Sequence, residues 1–219
     1  MDDPFFAVRK LKHTGESDPL RYYFHPVVGF LFRERIAMGL RLLKGSYKSL
    51  LEVGYGSGFL LPYWEKISDR VSVLDLDAEP SKVLKDLKNV TDSDFELQNG
   101  SILKTNYPDN TFDCIVAFSI LEHVAEADVA VDEMLRISTP GATILIGMPA
   151  VNKMMEYGFR SIGFKQIGDH HVTTPQEFLK SARRRLTLIE KRTLPFNLPV
   201  AFGLYHTFLF QVPLSKDRQ

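Results

Sequence analysis

The sequence predicts an α/β fold, with a mainly parallel sheet, helices on both faces and an antiparallel hairpin near the C-terminal end. Three observations predict it. Short apolar runs exchange regularly with helical segments between Val27 and Gly147, the signature of a sheet built from parallel βαβ units. The first of those runs passes directly into the glycine-rich turn Gly54-Tyr55-Gly56-Ser57-Gly58. The last two are joined by a short proline-containing stretch instead of a helix, as in a hairpin.

In order along the chain, Val28, Leu31, Phe32, Ile36, Leu40 and Leu43 recur at helical spacing, so a helix is predicted over Val27–Leu43, stopped by Lys44-Gly45-Ser46. Ser49–Val53 is the first strand, and a helix from Phe59 to Ile67 follows the glycine turn. Val71–Asp75 is the second strand. Pro80 suits the first turn of the next helix, which continues through Val83–Leu87. Phe95–Leu97 and Phe112–Phe118 are the third and fourth strands. A helix over about 125–137 leads through a Pro140-Gly141 turn to the fifth strand, Ala142–Gly147. Thr174-Pro175-Gln176-Glu177 has the form of a helix cap and first turn, with the helix running to about Arg184. Arg185–Arg192 and Gly203–Val212 are the hairpin strands. Met1–Tyr23 is mixed and polar, a candidate arm or lid.

Right-handed crossovers gather the loops after parallel strands on one edge, where ligands of such sheets bind. Glu52–Gly58, Asp75, Gly100-Ser101 and Phe118–His123 all fall at or near that edge.

The 219 residues are enough for one well-buried core. Lys+Arg and Asp+Glu are both 27, so no basic excess points to nucleic acid, and Arg183-Arg184-Arg185 is expected to be a solvated helix end. The single cysteine, Cys114, lies in an apolar strand. It excludes an intramolecular disulfide and a cysteine-rich metal site, and is expected to act as a small buried hydrophobe. The start, Met1-Asp2-Asp3-Pro4, lacks a basic-then-apolar signal pattern, and no apolar stretch is long enough to span a bilayer. The expected location is cytoplasmic.

Gly54 allows a tight turn after the strand, and Gly56 and Gly58 permit close approach of a ligand or the next helix. The following helix start offers unpaired N–H groups. Asp75, at the next strand end, is placed to accept both hydroxyls of a ribose. NAD, FAD and other adenosine-containing ligands would all use this arrangement. No G-K-[ST] follows, which excludes a P-loop, and Phe59 stands where a dinucleotide fingerprint needs its third glycine. Glu52, two residues before the turn, repels a pyrophosphate and attracts a cation. S-adenosylmethionine carries an ammonium, a sulfonium and a ribose, with no phosphate.

With these residues in view, Ser49–Gly147 resembles the class I S-adenosylmethionine-dependent methyltransferases. Leu51-Glu52-Val53-Gly54-Tyr55-Gly56-Ser57-Gly58 resembles the motif that binds the methionine part. Val73-Leu74-Asp75 resembles the ribose-binding strand end. Tyr107–Asp113 with Ser119-Ile120-Leu121-Glu122-His123-Val124 resembles the fourth-strand signature, and Leu135–Ala142 the turn before the fifth strand. Asn99-Gly100-Ser101-Ile102 stands where the family often has Gly-Asp-Ala, so Ser101 replaces an adenine-binding aspartate. The resemblance implies a Rossmann-like three-layer sandwich with a seven-stranded sheet and a C-terminal antiparallel hairpin. It implies S-adenosyl-L-methionine as methyl donor, held by Glu52, Gly54, Tyr55, Gly56, Gly58, Asp75, Leu76, Ser101, Ile102 and Phe118. The implied layout is an N-terminal arm and helix over 1–45, a candidate lid. A methyltransferase domain follows over 46–219, with 148–173 a candidate acceptor-side insertion.

Methyl transfer from a sulfonium is an in-line substitution governed by positioning, with histidine the natural base when an oxygen or nitrogen acceptor must lose a proton. His123 follows the fourth strand. His171 resembles a histidine that many relatives carry before the next helix; both are candidate catalytic residues. Their spacing with Glu122 fits no standard zinc motif, so no metal is expected. Tyr22-Tyr23-Phe24-His25 are candidate lid residues. Met154, Met155, Tyr157, Phe159 and Phe164 suit an apolar small-molecule acceptor or simple lid packing. The aromatic C-terminal hairpin is also a candidate homodimer interface. An NAD-dependent oxidoreductase and a noncatalytic donor-binding protein are the competing function classes.

Overall fold

The computed structural model describes residues 5, 9–12, 19–26, 28–93, 95–150, 172–195 and 203–214. Seven strands form one sheet: β1 (Leu50–Val53), β2 (Val71–Asp75), β3 (Glu96–Asn99), β4 (Phe112–Phe118), β5 (Ser138–Pro149), β6 (Thr187–Leu194) and β7 (Tyr205–Gln211). Their order is β3-β2-β1-β4-β5-β7-β6. The first five strands pair in parallel, and β7 is antiparallel to both β5 and β6. This is the predicted Rossmann-like architecture with its C-terminal hairpin. The order reverses between β1 and β4, so the loops after those two strands meet at the sheet's topological switch point.

β1 and β4 are buried almost throughout, which is why each reads as a nearly unbroken apolar run. Alternation splits their side chains between two cores. Leu50, Val73, Cys114, Val116 and Leu145 pack on one face with Trp64 and Ile36. Leu51, Val53, Ile115, Ile144 and Ile146 pack on the other with Met134, Phe178 and Phe208. Cys114 is fully buried.

The helices are α1 (Gly29–Leu40), α2 (Leu61–Trp64), α3 (Pro80–Leu87), α4 (Ala127–Ile137) and α5 (Pro175–Ala182). Two differ from expectation. α1 is shorter at both ends than Val27–Leu43. α2 is a single turn, not a helix from Phe59 to Ile67. Around it Leu61, Tyr63, Lys66 and Ile67 donate to carbonyls three residues back, the tighter 3-10 pattern. The fifth strand begins earlier than predicted: Pro140-Gly141 lies inside β5, where the register on β4 shifts and Gly141 takes φ 80°.

α5 starts on the predicted capping box. The Thr174 hydroxyl accepts from the Glu177 N–H at 3.2 Å, and the Glu177 carboxylate accepts from the Thr174 N–H at 2.9 Å. Thr174→Ala is expected to cost about 1 kcal/mol, seen as a fall of roughly 3 °C in Tm.

The N-terminal stretch is more apolar in its packing than its composition suggests. Phe5, Leu11, Leu20 and Tyr23 are buried in the first core. Phe5 stacks on Phe59 with centroids 6.2 Å apart, and Tyr23 lies 4.8 Å from the same ring. The residue that breaks the dinucleotide pattern is therefore the anvil for the N-terminal segment.

Candidate active site

Gly54, Gly56 and Gly58 all take positive φ, 80°, 50° and 74°, which only glycine adopts cheaply. Their surroundings differ. A Cβ at Gly54 would lie 1.9 Å from Ile120 Cγ1, and one at Gly58 would press on Leu61, Val83 and Leu87. A Cβ at Gly56 would meet nothing within 4 Å. Gly54 and Gly58 thus serve packing, and Gly56 fronts open space.

Asp75 ties the glycine turn to the loop after β2. Its Oδ2 accepts from the Gly56 N–H at 2.9 Å, and its Oδ1 accepts from the Asp77 and Ala78 N–H groups, each at 2.9 Å. A carboxylate offers about four lone-pair sites. Three are taken, which leaves one on Oδ2. Sequence reasoning expected Asp75 to accept two ribose hydroxyls; with these backbone bonds intact it has room for one. Asn99 braces the same loop by donating to the Leu76 carbonyl at 2.7 Å, and leaves the Leu76 side chain exposed.

Glu52 is buried on β1, where its Oε2 accepts from the Trp64 indole N–H at 2.8 Å. Burial pushes its carboxyl up to about 8, against the Trp64 hydrogen bond, which lowers it, while Asp75 adds to the rise. The folded carboxyl therefore keeps its proton where an unfolded one, near the ordinary 4.5, has released it, so in the ligand-free fold Glu52 is a neutral acid held by Trp64 and not the cation-attracting carboxylate expected from sequence. Stability from this group is complete below about 4.5 and is lost as pH rises toward 8. Between pH 5 and pH 7 the loss is on the order of 3 kcal/mol. Glu52→Gln preserves an acceptor for Trp64, and its ligand-free Tm should fall distinctly less over that interval in calorimetric scans.

Ser101 Oγ accepts from the Leu103 N–H at 3.2 Å, and Ile102 is buried in the second core. Phe118 ends β4 wedged against Gly39 of α1 and Gly147 of β5, where a Cβ would lie 2.6 Å and 2.5 Å from its ring. Tyr55 is buried. Its hydroxyl and the Ser57 hydroxyl are enclosed with no hydrogen-bond partner among the described residues.

The predicted histidines fare differently. His123 is exposed, in the 3-10 turn Leu121–His123. His171 and residues 151–171 of the candidate 148–173 insertion, with Met154, Met155, Tyr157, Phe159 and Phe164, lie outside the described residues, and Met148 and Pro149 belong to β5. The Val172 and Thr173 N–H groups both donate to the Glu122 carbonyl, at 2.8 and 3.1 Å.

Sequence reasoning missed a cluster beside this turn. Glu122 is 1% exposed. Arg35 reaches over the rings of Phe32, Tyr23 and Tyr205, with its guanidinium carbon 4.6, 5.8 and 5.7 Å from their centroids. The Tyr205 hydroxyl lies 3.1 Å from Ser119 Oγ, and Ser119 has φ 57°, an uncommon conformation held by its N–H bond to the Gly147 carbonyl at 2.8 Å. A signal existed for both charges. Arg35 interrupts the apolar stripe between Phe32 and Ile36, and Ser119 and Glu122 are three apart, one turn of a 3-10 helix.

Among the described residues, no group of three or more His, Cys, Asp or Glu is arranged to hold a metal ion, and no helix is long and apolar enough to cross a membrane.

The family described as "Methyltransferase domain" matches residues 51–146, the stretch holding the glycine turn, Asp75 and β4. Set in this sheet, that stretch is a class I S-adenosylmethionine-dependent methyltransferase domain. The chain is 31% identical over 101 residues to phosphatidylethanolamine N-methyltransferase of Cereibacter sphaeroides, covering 44% of this chain and 48% of the relative. It is 23% identical over 155 residues to malonyl-[acyl-carrier protein] O-methyltransferase of Buchnera aphidicola, covering 71% and 59%. It spans about half the length of the curated relatives it matches. Among solved structures, N-methyltransferase NodS from Bradyrhizobium japonicum in complex with S-adenosyl-l-homocysteine superposes with a TM-score of 0.63 at 17% identity, over 97% of this chain and 100% of that one. At that identity the likeness is one of fold.

Proposed function

We propose that this chain transfers a methyl group from S-adenosylmethionine to a small-molecule acceptor. One observation carries the reading: the glycine turn and Asp75 form a ready cradle, with Gly56 facing open space and two enclosed hydroxyls, Tyr55 and Ser57, lacking partners among the described residues. Buried polar atoms without partners are costly, and a polar nucleoside ligand would satisfy them. Glu52, Tyr55, Gly56 and Asp75 would hold the methionine and ribose, on a turn whose shape Gly54 and Gly58 set by packing. Leu76 offers an apolar platform for the adenine, with Ser101 and Ile102 bordering it.

The donor, when bound, supplies a methyl group on a sulfonium, already attached to a good leaving group. The chain's own task is then to position and to exclude water. Ile120 closes over Gly54 from the β4 side, Phe118 fills the gap between α1 and β5, and Phe5 and Tyr23 cover Phe59. The 1–45 segment would thus act as a cover on the donor site, with 46–219 as the transferase body. His123 and His171 are the proposed proton acceptors. The relatives named above act on nitrogen and on oxygen, so the acceptor atom is not inherited from them.

Titration calorimetry tests the reading. S-adenosylmethionine and its demethylated product should both bind with saturation, and NAD should not. Well-folded protein that binds neither would sink it, and tight NAD binding would point to an oxidoreductase. A labelled-methyl assay on fractionated small molecules then reports transfer.

A further inference from the structure

We infer that the polar cluster beside the β4 turn recognises an acceptor carrying an oxyanion, a carboxylate or a phenolate, through Arg35, Glu122 and the Tyr205–Ser119 hydroxyl pair. This rests on the methyltransferase reading and names its acceptor class.

Two enclosed atoms of opposite chemical type carry the argument. Arg35 Nε and Glu122 Oε2 are both buried, and neither has a hydrogen-bond partner among the described residues. Arg35 and Glu122 lie close enough to influence each other's charge, yet no ion pair joins them among the described residues. A guanidinium cannot shed its charge, so its unpaired N–H asks for an acceptor from outside. A carboxyl buried beside it without pairing relaxes differently, by keeping its proton. Burial pushes Glu122 up to about 8, against the opposing pulls of its own backbone hydrogen bond and of Arg35. Tyr205 is likewise held protonated by burial. At neutral pH the groups of this cluster are then a guanidinium, a carboxylic acid and a hydroxyl pair in which one O–H is spent on its partner. The Arg35 Nε–H, the acid and the remaining hydroxyl can donate outward, and such a set of donors suits an oxyanion.

The surroundings fit that role. Tyr23, Phe32 and Tyr205 enclose the guanidinium and would supply apolar walls for the body of an aromatic or aliphatic acid. The site also sits at the correct end of the sheet. Ile120 of the β4 turn covers Gly54 on the donor side, and Ser119 and Glu122 of the same turn belong to this cluster.

Benzoate is the probe, with benzylamine as its cationic counterpart, each titrated by calorimetry into the full-length protein with and without saturating S-adenosylhomocysteine. Saturable benzoate binding in preference to benzylamine is expected. Arg35→Gln should weaken it about tenfold or more, and Tyr205→Phe, which removes only a hydroxyl, should weaken it less. Binding by the parent protein should fall as pH rises through about 8, when Glu122 gains charge facing Arg35, Tyr23 and Tyr205. Glu122→Gln should bind without that fall. Preference for benzylamine, no benzoate binding under either condition, or benzoate binding indifferent to Arg35→Gln and Tyr205→Phe in folded protein overturns the proposal. Failure of S-adenosylhomocysteine to bind, with benzoate still held by Arg35, would overturn the methyltransferase reading alone.

Discussion

The Gly54→Ala variant is expected to lose roughly 2 to 5 kcal/mol of stability and to stop binding the methyl donor. Two costs add. Alanine at φ 80° pays about 1 to 2 kcal/mol for the left-handed backbone. Its Cβ would also stand 1.9 Å from Ile120 Cγ1 and 2.2 Å from Cδ1. Ile120 must then move, and overpacking of that kind costs about 1 to 3 kcal/mol. A domain of this size should show the sum as a Tm fall of roughly 10 °C. The control is Gly56→Ala. Gly56 also has positive φ, at 50°, but its Cβ would meet nothing within 4 Å. That variant should lose only about 1 to 2 kcal/mol and remain well folded, while its methyl group occupies the space proposed for the donor. Scanning calorimetry and donor titration on the pair therefore separate a packing glycine from a binding glycine. Equal Tm losses would contradict the division of roles drawn between the two residues.

The same pair shows how far the sequence could be read. The spacing of the glycines identifies a ligand turn, and strand burial makes β1, β2 and β4 legible as apolar runs. It does not tell which glycine faces the ligand, because that depends on Ile120, 66 residues beyond Gly54 in sequence. β3 was harder to bound than its neighbours for a related reason. It is an edge strand with two exposed and two half-buried residues, so the core imposes little apolar pattern on it. The N-terminal stretch appeared polar because its buried residues, Phe5, Leu11, Leu20 and Tyr23, are widely spaced and share no period. Most of all, Arg35 and Tyr205 are 170 positions apart, and only the insertion of β7 beside β5 brings Tyr205 to the end of the sheet where α1 crosses. Histidine is the natural base near neutral pH, but His123 is exposed. The buried member of that dipeptide is Glu122.

Asp75 offers the sharpest separation of folding from binding. Asp75→Ala removes the acceptor for three backbone N–H groups, those of Gly56, Asp77 and Ala78. Asp77 is exposed and Gly56 and Asp75 are half-buried, so water recovers part of the loss. Roughly 2 kcal/mol of destabilisation is expected. Asp75→Asn should behave otherwise. One amide oxygen can still accept from Asp77 and Ala78 together, as Oδ1 does, but the amide NH2 would then confront the Gly56 N–H, donor against donor. The loop after β2 keeps its shape and the glycine turn loses its tether. The one lone pair proposed for a ribose hydroxyl disappears with it. Asp75→Asn is therefore expected to retain nearly all of its Tm yet bind S-adenosylmethionine and S-adenosylhomocysteine about a hundredfold more weakly, in line with losing one or two charge-assisted hydrogen bonds. Removing the ribose 2′-hydroxyl from the product analogue, then the 3′-hydroxyl, extends the test. If Asp75 accepts from a single hydroxyl, only one of the two analogues should lose the affinity that Asp75→Asn removes. Equal losses would mean that the bond from Gly56 gives way on binding and that both hydroxyls reach the carboxylate.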